Sequence, residues 1–169
     1  MWKTGNIIRW VLCILVVIDA LFFLKSCSQT PKSVDPFYTN KGEWDDAEIP
    51  VIKPYQLVIL NGSEEWGMSL QHASMLGDVK RINVLNGYIF AYSRKTYFNF
   101  QGPEKVVWAV INPSKKLEKT FETYADYVKF VKENGFQKEP TLHDVKDVSR
   151  YSVHHDVMDW KELNKLLKD

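Results

Sequence analysis

No cysteine follows Cys27; the other, Cys13, lies further upstream. Residues 28–169 therefore hold no thiol nucleophile, no thiolate metal site and no disulfide. That does not argue against an oxidising compartment, because a domain of this size can be stable without disulfides. No charge of one sign dominates either: 22 Lys and Arg stand against 21 Asp and Glu. Nucleic-acid binders usually collect a basic excess on one face, so no nucleic-acid partner is expected. Gly62 and Gly67 are not followed by a Gly-Lys-Ser/Thr, which excludes a phosphate loop there. Ser69 lacks a Gly-x-Ser-x-Gly elbow, and in a strand it would point away from His72. No repeat of solenoid or propeller length occurs.

What the sequence does have begins with an apolar segment. Residues 7–24 are apolar except for Arg9 and Asp19. As a helix they would be about 27 Å long, just enough for a hydrocarbon core. Lys3 and Arg9 precede or enter the segment, and Trp2 and Trp10 sit where an interfacial aromatic belt lies. This pattern predicts a cytoplasmic N-terminus with the remainder exported, into a bacterial periplasm or onto a cell surface. Residues 1–27 are thus read as a membrane anchor or lipoprotein signal.

Two anchors compete. Leu24-Lys25-Ser26-Cys27 resembles a bacterial lipobox, in which a cysteine after a small residue is acylated; the resemblance makes Cys27 a lipidation candidate. Lys25 departs from the small or aliphatic residue usual at its place, and cleavable signals rarely carry a charge such as Asp19 in their apolar region. Both features favour an uncleaved helix. Within such a helix Asp19 costs roughly 2–3 kcal/mol near the centre, and less if it reaches water at the exported end.

Residues 28–49 read as a polar linker with an acidic cluster at Glu43, Asp45, Asp46 and Glu48. Residues 50–169 read as one soluble domain, large enough for a single modest core. Strand signals come first. Residues 55–60 form a compact β-rich run, and Trp66, Met68 and Leu70 alternate with polar or small residues. Residues 79–85 and 88–93 flank Asn86-Gly87, the dipeptide that a two-residue type I′ hairpin turn prefers. Residues 105–111 make a further strand, stopped by Asn112-Pro113. Helical signals follow. Thr123 with Asp126 is a capping pair, and Tyr124, Tyr127, Val128 and Val131 share one helical stripe. A second helix is predicted over about 156–167, and residues 136–155 read as irregular. The expected fold is α+β: an antiparallel sheet of about five strands with two C-terminal helices packed on one face.

The strand over 106–111, its Asn112-Pro113-Ser114-Lys115-Lys116 turn and the stretch 121–127 together resemble small uncharacterised bacterial envelope proteins. In those, a strand, a basic turn and an acid-capped helix close a meander sheet. The resemblance covers about residues 79–135 and implies no activity, cofactor or site residue.

Candidate chemistry is sparse. His143, His154, His155 and Asp156 carry metal-ligand chemistry, but adjacent histidines rarely reach one ion, and Asp156 reads adequately as a helix N-cap. Tyr88, Phe90 and Tyr92 share one face of a hairpin strand, with Ile89 and Ala91 on the other. An exposed aromatic set would bind a protein or peptide; an equally good reading makes it the core face. The function expected is that of a membrane-tethered extracytoplasmic protein-binding module, such as an immunity-type protein or an accessory subunit of an envelope complex. It would be non-catalytic, with no cofactor or metal, and with the membrane and another protein as partners. The alternative is a small-ligand-binding or hydrolytic domain with a site near His143, His154 and Asp156.

Overall fold

The computed structural model describes residues 33–43, 46–59, 64–71, 74–98 and 105–167. The apolar segment 7–24, with Asp19 and Cys27, lies outside the described residues. Among the described residues no helix is long and apolar enough to cross a membrane. The folded unit runs from Asp35 to Asp169.

Its frame is an antiparallel meander. In sequence order the strands are β1 (Gly42–Glu43), β2 (Asp46–Ile52), β3 (Tyr55–Ile59), β4 (Trp66–Ser69), β5 (Ser74–Leu85), β6 (Tyr88–Phe98), β7 (Val107–Asn112) and β8 (Leu117–Phe121). Each pairs with the next, and a ninth, β9 (His143–Asp144), pairs with β5. The sheet is therefore larger than the five strands the alternation predicts. Part of the difference comes from the region read as a spacer. Residues 35–49 contribute a 3-10 turn (Pro36–Thr39), β1 and the first half of β2, with Ile49 fully buried. Acidic residues masked a strand there, because its partner β3 supplies the apolar contacts.

The strongest turn signal holds. Asn86 and Gly87 take φ of 52° and 77°, the left-handed pair that a type I′ turn demands. A Cβ on Gly87 would meet nothing within 4 Å, so glycine is required by the backbone angle and not by crowding. At Asn112 the side chain accepts from the Lys115 amide at 2.9 Å, and Lys116 turns left-handed with φ 51°. This tight corner delivers β8 directly against β7.

Three helices follow or interrupt the sheet's end: α1 (Tyr124–Glu133), α2 (Val145–His154) and α3 (Trp160–Leu166). Thr123 caps α1 as predicted, accepting from the Asp126 amide, and Tyr127 and Val131 are its buried side chains. The segment read as irregular contains α2. Its N-cap is Asp144, and Val145, Val148, Tyr151 and Ser152 form its buried stripe. So few apolar positions on a polar helix conceal this period from a hydrophobicity pattern. The cap of α3 is Asp159, which accepts from Lys161 and Glu162, and not Asp156.

These helices do not share one face. Along β6, Ile89 and Ala91 enter a core with β2 to β5, β7, α2 and α3. Tyr88 and Phe90 enter a second core with Val110, Tyr127 and Val131, so α1 covers the opposite side. The expected arrangement, both helices on one face, is corrected accordingly: strand alternation on β6 and β7 puts apolar side chains on both sides, and each side needs a cover. The sheet also curls. The Tyr55 hydroxyl on β3 donates to Glu118 on β8 at 2.6 Å, and the Gln71 amide donates to the same oxygen at 2.8 Å. Curling encloses the larger core on the concave side.

Candidate functional site

The site grows from strand register. Across β5, β6, β7 and β8 the residues Arg81, Tyr92, Trp108 and Phe121 lie directly opposite one another in turn. Opposed side chains on neighbouring strands sit close enough to touch. The Arg81 guanidinium accordingly lies 5.0 Å from the centre of the Tyr92 ring, and the Tyr92 and Trp108 rings are 5.2 Å apart. A cation and two aromatic planes form one continuous row on the face that α1 partly covers.

The sequence-predicted face of Tyr88, Phe90 and Tyr92 is divided by that cover. Phe136 packs edge-on against Tyr88 at 5.3 Å and Phe90 at 5.1 Å. Tyr88 and Phe90 are buried, as are Ile89 and Ala91 on the other face, so neither of the two aromatics is free to meet a partner. Tyr92 is half-buried and joins the row.

Above the row lies a cleft of ≈ 300 Å³, lined by Arg81, Trp108, Tyr124, Tyr127, Glu139 and Leu142 with the buried Pro140. Arg81 and Trp108 come from the sheet and the two tyrosines from α1. Glu139, Pro140 and Leu142 come from the connection to β9, which is pinned to the sheet by Asn83 donating to the Thr141 carbonyl at 2.6 Å. Trp108 and Tyr124 rings are 5.7 Å apart, and the Tyr124 hydroxyl donates to the Glu139 carboxylate.

Two groups in the cleft want partners. Tyr127 is 1% exposed, yet its hydroxyl has no hydrogen-bond partner among the described residues. Burial, and then the charge of Glu139 and the neighbouring Tyr124, hold its phenol far above the ordinary range, so it is a fixed O–H donor. Arg81 has no carboxylate within ion-pair distance among the described residues. The cleft thus combines donors, one acidic acceptor and a smaller apolar surface, which is the equipment of recognition.

An unpartnered buried hydroxyl costs about 1–3 kcal/mol relative to an apolar group of the same shape. Tyr127→Phe is therefore expected to stabilise the fold by about 1 kcal/mol, read as a higher urea midpoint at unchanged slope. A lower midpoint would mean that the hydroxyl has a partner in solution.

Of the histidines, His72 lies outside the described residues, and His143 and His155 serve structure. His143 is buried in β9, with Nε2 at 2.6 Å from the Asn164 side-chain oxygen. Asn164 in turn donates to the Val84 carbonyl at 2.9 Å, so His143 Nε2 is the donor of the pair and ties α3 to β5 and β9. His154 ends α2 and is exposed, as is Asp156. His155 stacks on Tyr151 at 3.8 Å. Among the described residues no three His, Cys, Asp or Glu side chains gather as a metal ion requires, so His143, His154 and Asp156 do not converge.

Half of the row is legible in the sequence after all. Counting outward from the Asn86-Gly87 turn pairs Leu85 with Tyr88 and brings Arg81 opposite Tyr92. Trp108 could not be placed this way, because residues 99–106 make too long a connection for its length to set a register. No protein-family model, curated protein or solved structure matches this protein, so the chemistry of its side groups is what speaks for its function.

Proposed function

We propose that this protein is a binding module tethered to a membrane, which presents the cleft beside Trp108 and Tyr124 to a protein partner outside the cytoplasm. It acts by binding and not by catalysis. One observation carries the reading: the aligned row of Arg81, Tyr92 and Trp108 opens beside Tyr124, which is 48% exposed. Arg, Tyr and Trp are the residue types that anchor protein interfaces, because they combine large flat contact area with a polar end. The tether is supported by the apolar segment 7–24 and the basic and aromatic residues around its start.

Site-specific photo-crosslinking in native membranes tests this. A crosslinker at position 124 should capture a discrete partner, and Trp108→Ala should remove the adduct. The same crosslinker at Val153, 68% exposed on α2, serves as the control. No adduct at 124, or an equal one at 153, would refute the assignment of this face. Protease added to the exported side should remove the domain; protection from it would refute the exported location.

A further inference from the structure

We propose that the group this cleft takes from its partner is the C-terminus of a polypeptide: a terminal carboxylate on an apolar last residue. The inference rests on the binding reading above and names the chemistry of its ligand. Four observations support it.

The first is the pair of donors without acceptors. Arg81 offers a planar fork of N–H groups with no carboxylate within ion-pair distance among the described residues, and its guanidinium lies 5.0 Å from the centre of the Tyr92 ring. Tyr127 offers a buried O–H that no described residue accepts. A carboxylate has two coplanar oxygens with enough lone pairs for both, and its match to a guanidinium is bidentate.

The second is Glu139, which excludes most other anions. One of its oxygens is taken by Tyr124, and the other has no partner among the described residues. A phosphate monoester or a dicarboxylate carries close to two negative charges and would meet Glu139 at a greater cost than a single carboxylate does. A lysine or arginine side chain brings donors only and would meet Arg81. The cleft asks for an acceptor and a donor side by side. The last residue of a polypeptide has both, a carboxylate and, one carbon away, its own backbone N–H.

The third is the apolar remainder. Trp108, Pro140 and Leu142 give the otherwise polar lining a short apolar stretch, against which an apolar last side chain would rest. A polyol would satisfy the hydrogen bonds but leave the guanidinium without a counter-charge. The fourth is size: ≈ 300 Å³ is at the small end for ligand sites and suits one residue with its flanking peptide group. Capture of a terminal carboxylate by a preset cluster of donors is an established mode of peptide recognition.

The test uses the full-length protein in detergent micelles and isothermal titration calorimetry. The probes are acetyl-Gly-Gly-Leu and acetyl-Gly-Gly-Phe, each as free acid and as C-terminal carboxamide, together with free leucine. At least one acid should bind in the millimolar range or better, and its carboxamide weaker by roughly tenfold or more. Arg81→Gln should reduce the acid to the level of the carboxamide without lowering the unfolding midpoint. Arg81→Lys should recover part of the loss, since it restores charge but not the fork. Tyr127→Phe should weaken the acid a few-fold while raising stability, a combination that a purely structural role would not produce.

Equal binding of acid and carboxamide, or no binding by either acid, would overturn the proposal. So would free leucine binding more tightly than the peptide acids, which would mark a site for small zwitterions. The binding reading fails separately. If crosslinking from position 124 persists in Arg81→Gln, a partner docks here without its carboxylate and only the present inference is lost. If the acids bind selectively but no crosslink forms, the cleft chemistry stands and the protein-partner reading is lost.

Discussion

Trp160→Ala is expected to lower the stability of the folded unit by about 3–5 kcal/mol, the cost of removing a large buried aromatic. Folded domains are stable by only about 5–15 kcal/mol in total, so this change alone brings the protein close to unfolding. Trp160 is buried in the larger core, and its indole N–H donates to the Pro50 carbonyl on β2 at 3.1 Å. Seven residues are too few for α3 to persist without tertiary packing. The Asp159 cap and the buried Leu163 help, but the indole is what joins the helix to a strand from the opposite end of the domain. Trp160→Phe separates the two contributions. It keeps most of the apolar contact and strands the Pro50 carbonyl, for an expected loss of about 1–3 kcal/mol. Urea unfolding of the full-length protein in micelles measures both. A loss below about 1 kcal/mol for alanine would mean that α3 is not part of the cooperative core.

The second large effect is a loss of stability in alkali. Tyr55, Tyr127 and Tyr151 are all buried, at 4%, 1% and 6% exposure. Burial is the chief cause that raises each phenol, and a carboxylate adds to it: Glu118 beside Tyr55, Glu139 beside Tyr127 and Glu162 beside Tyr151. Tyr151, which donates to Glu162 at 2.9 Å, is pushed up to about 12; the other two lie higher still. A phenol raised in the folded state favours folding while it is neutral. Its contribution is complete below the unfolded value near 10 and is lost as pH climbs from there through the folded value. The deeply buried Tyr127 removes about 1.4 kcal/mol per pH unit in that window, and Tyr55 and Tyr151, whose hydroxyls are part-buried, add less each. Unfolding is therefore expected to set in steeply above about pH 10.5, with tyrosinate absorbance appearing in step with loss of structure. The variant Tyr55→Phe/Tyr127→Phe/Tyr151→Phe should show a much shallower decline, which separates these phenols from other effects of alkali. Tyrosinate forming well before unfolding would show that the phenols are not held neutral by the fold.

Some of this architecture is legible in the sequence. The Asn86-Gly87 turn, the Asn112 corner and the Thr123 cap are local. Each depends on the conformational preference of one or two residues, and each is found where those preferences put it. The missed elements have a common cause. Short β1 and β9 pair without an apolar period of their own, and α2 shows its buried stripe only against a sheet whose strand β5 lies far upstream in the sequence. Acidic and polar content in residues 35–49 and 136–155 hid structure that distant contacts stabilise.

For the candidate site the division is sharper. By itself the sequence determined that Arg81 faces Tyr92, since a two-residue turn leaves no freedom in counting back along the hairpin. It also determined that Tyr88, Phe90 and Tyr92 point one way and Ile89 and Ala91 the other. The tertiary structure alone decided that both sets are covered, that Phe136 closes over Tyr88 and Phe90 while Tyr92 stays at the margin, and that Glu139 arrives beside Tyr127. Period-two alternation states which side chains share a face of a strand. Whether that face meets water depends on segments that return from far along the sequence, and their arrival is a matter of packing between elements, which no local pattern records.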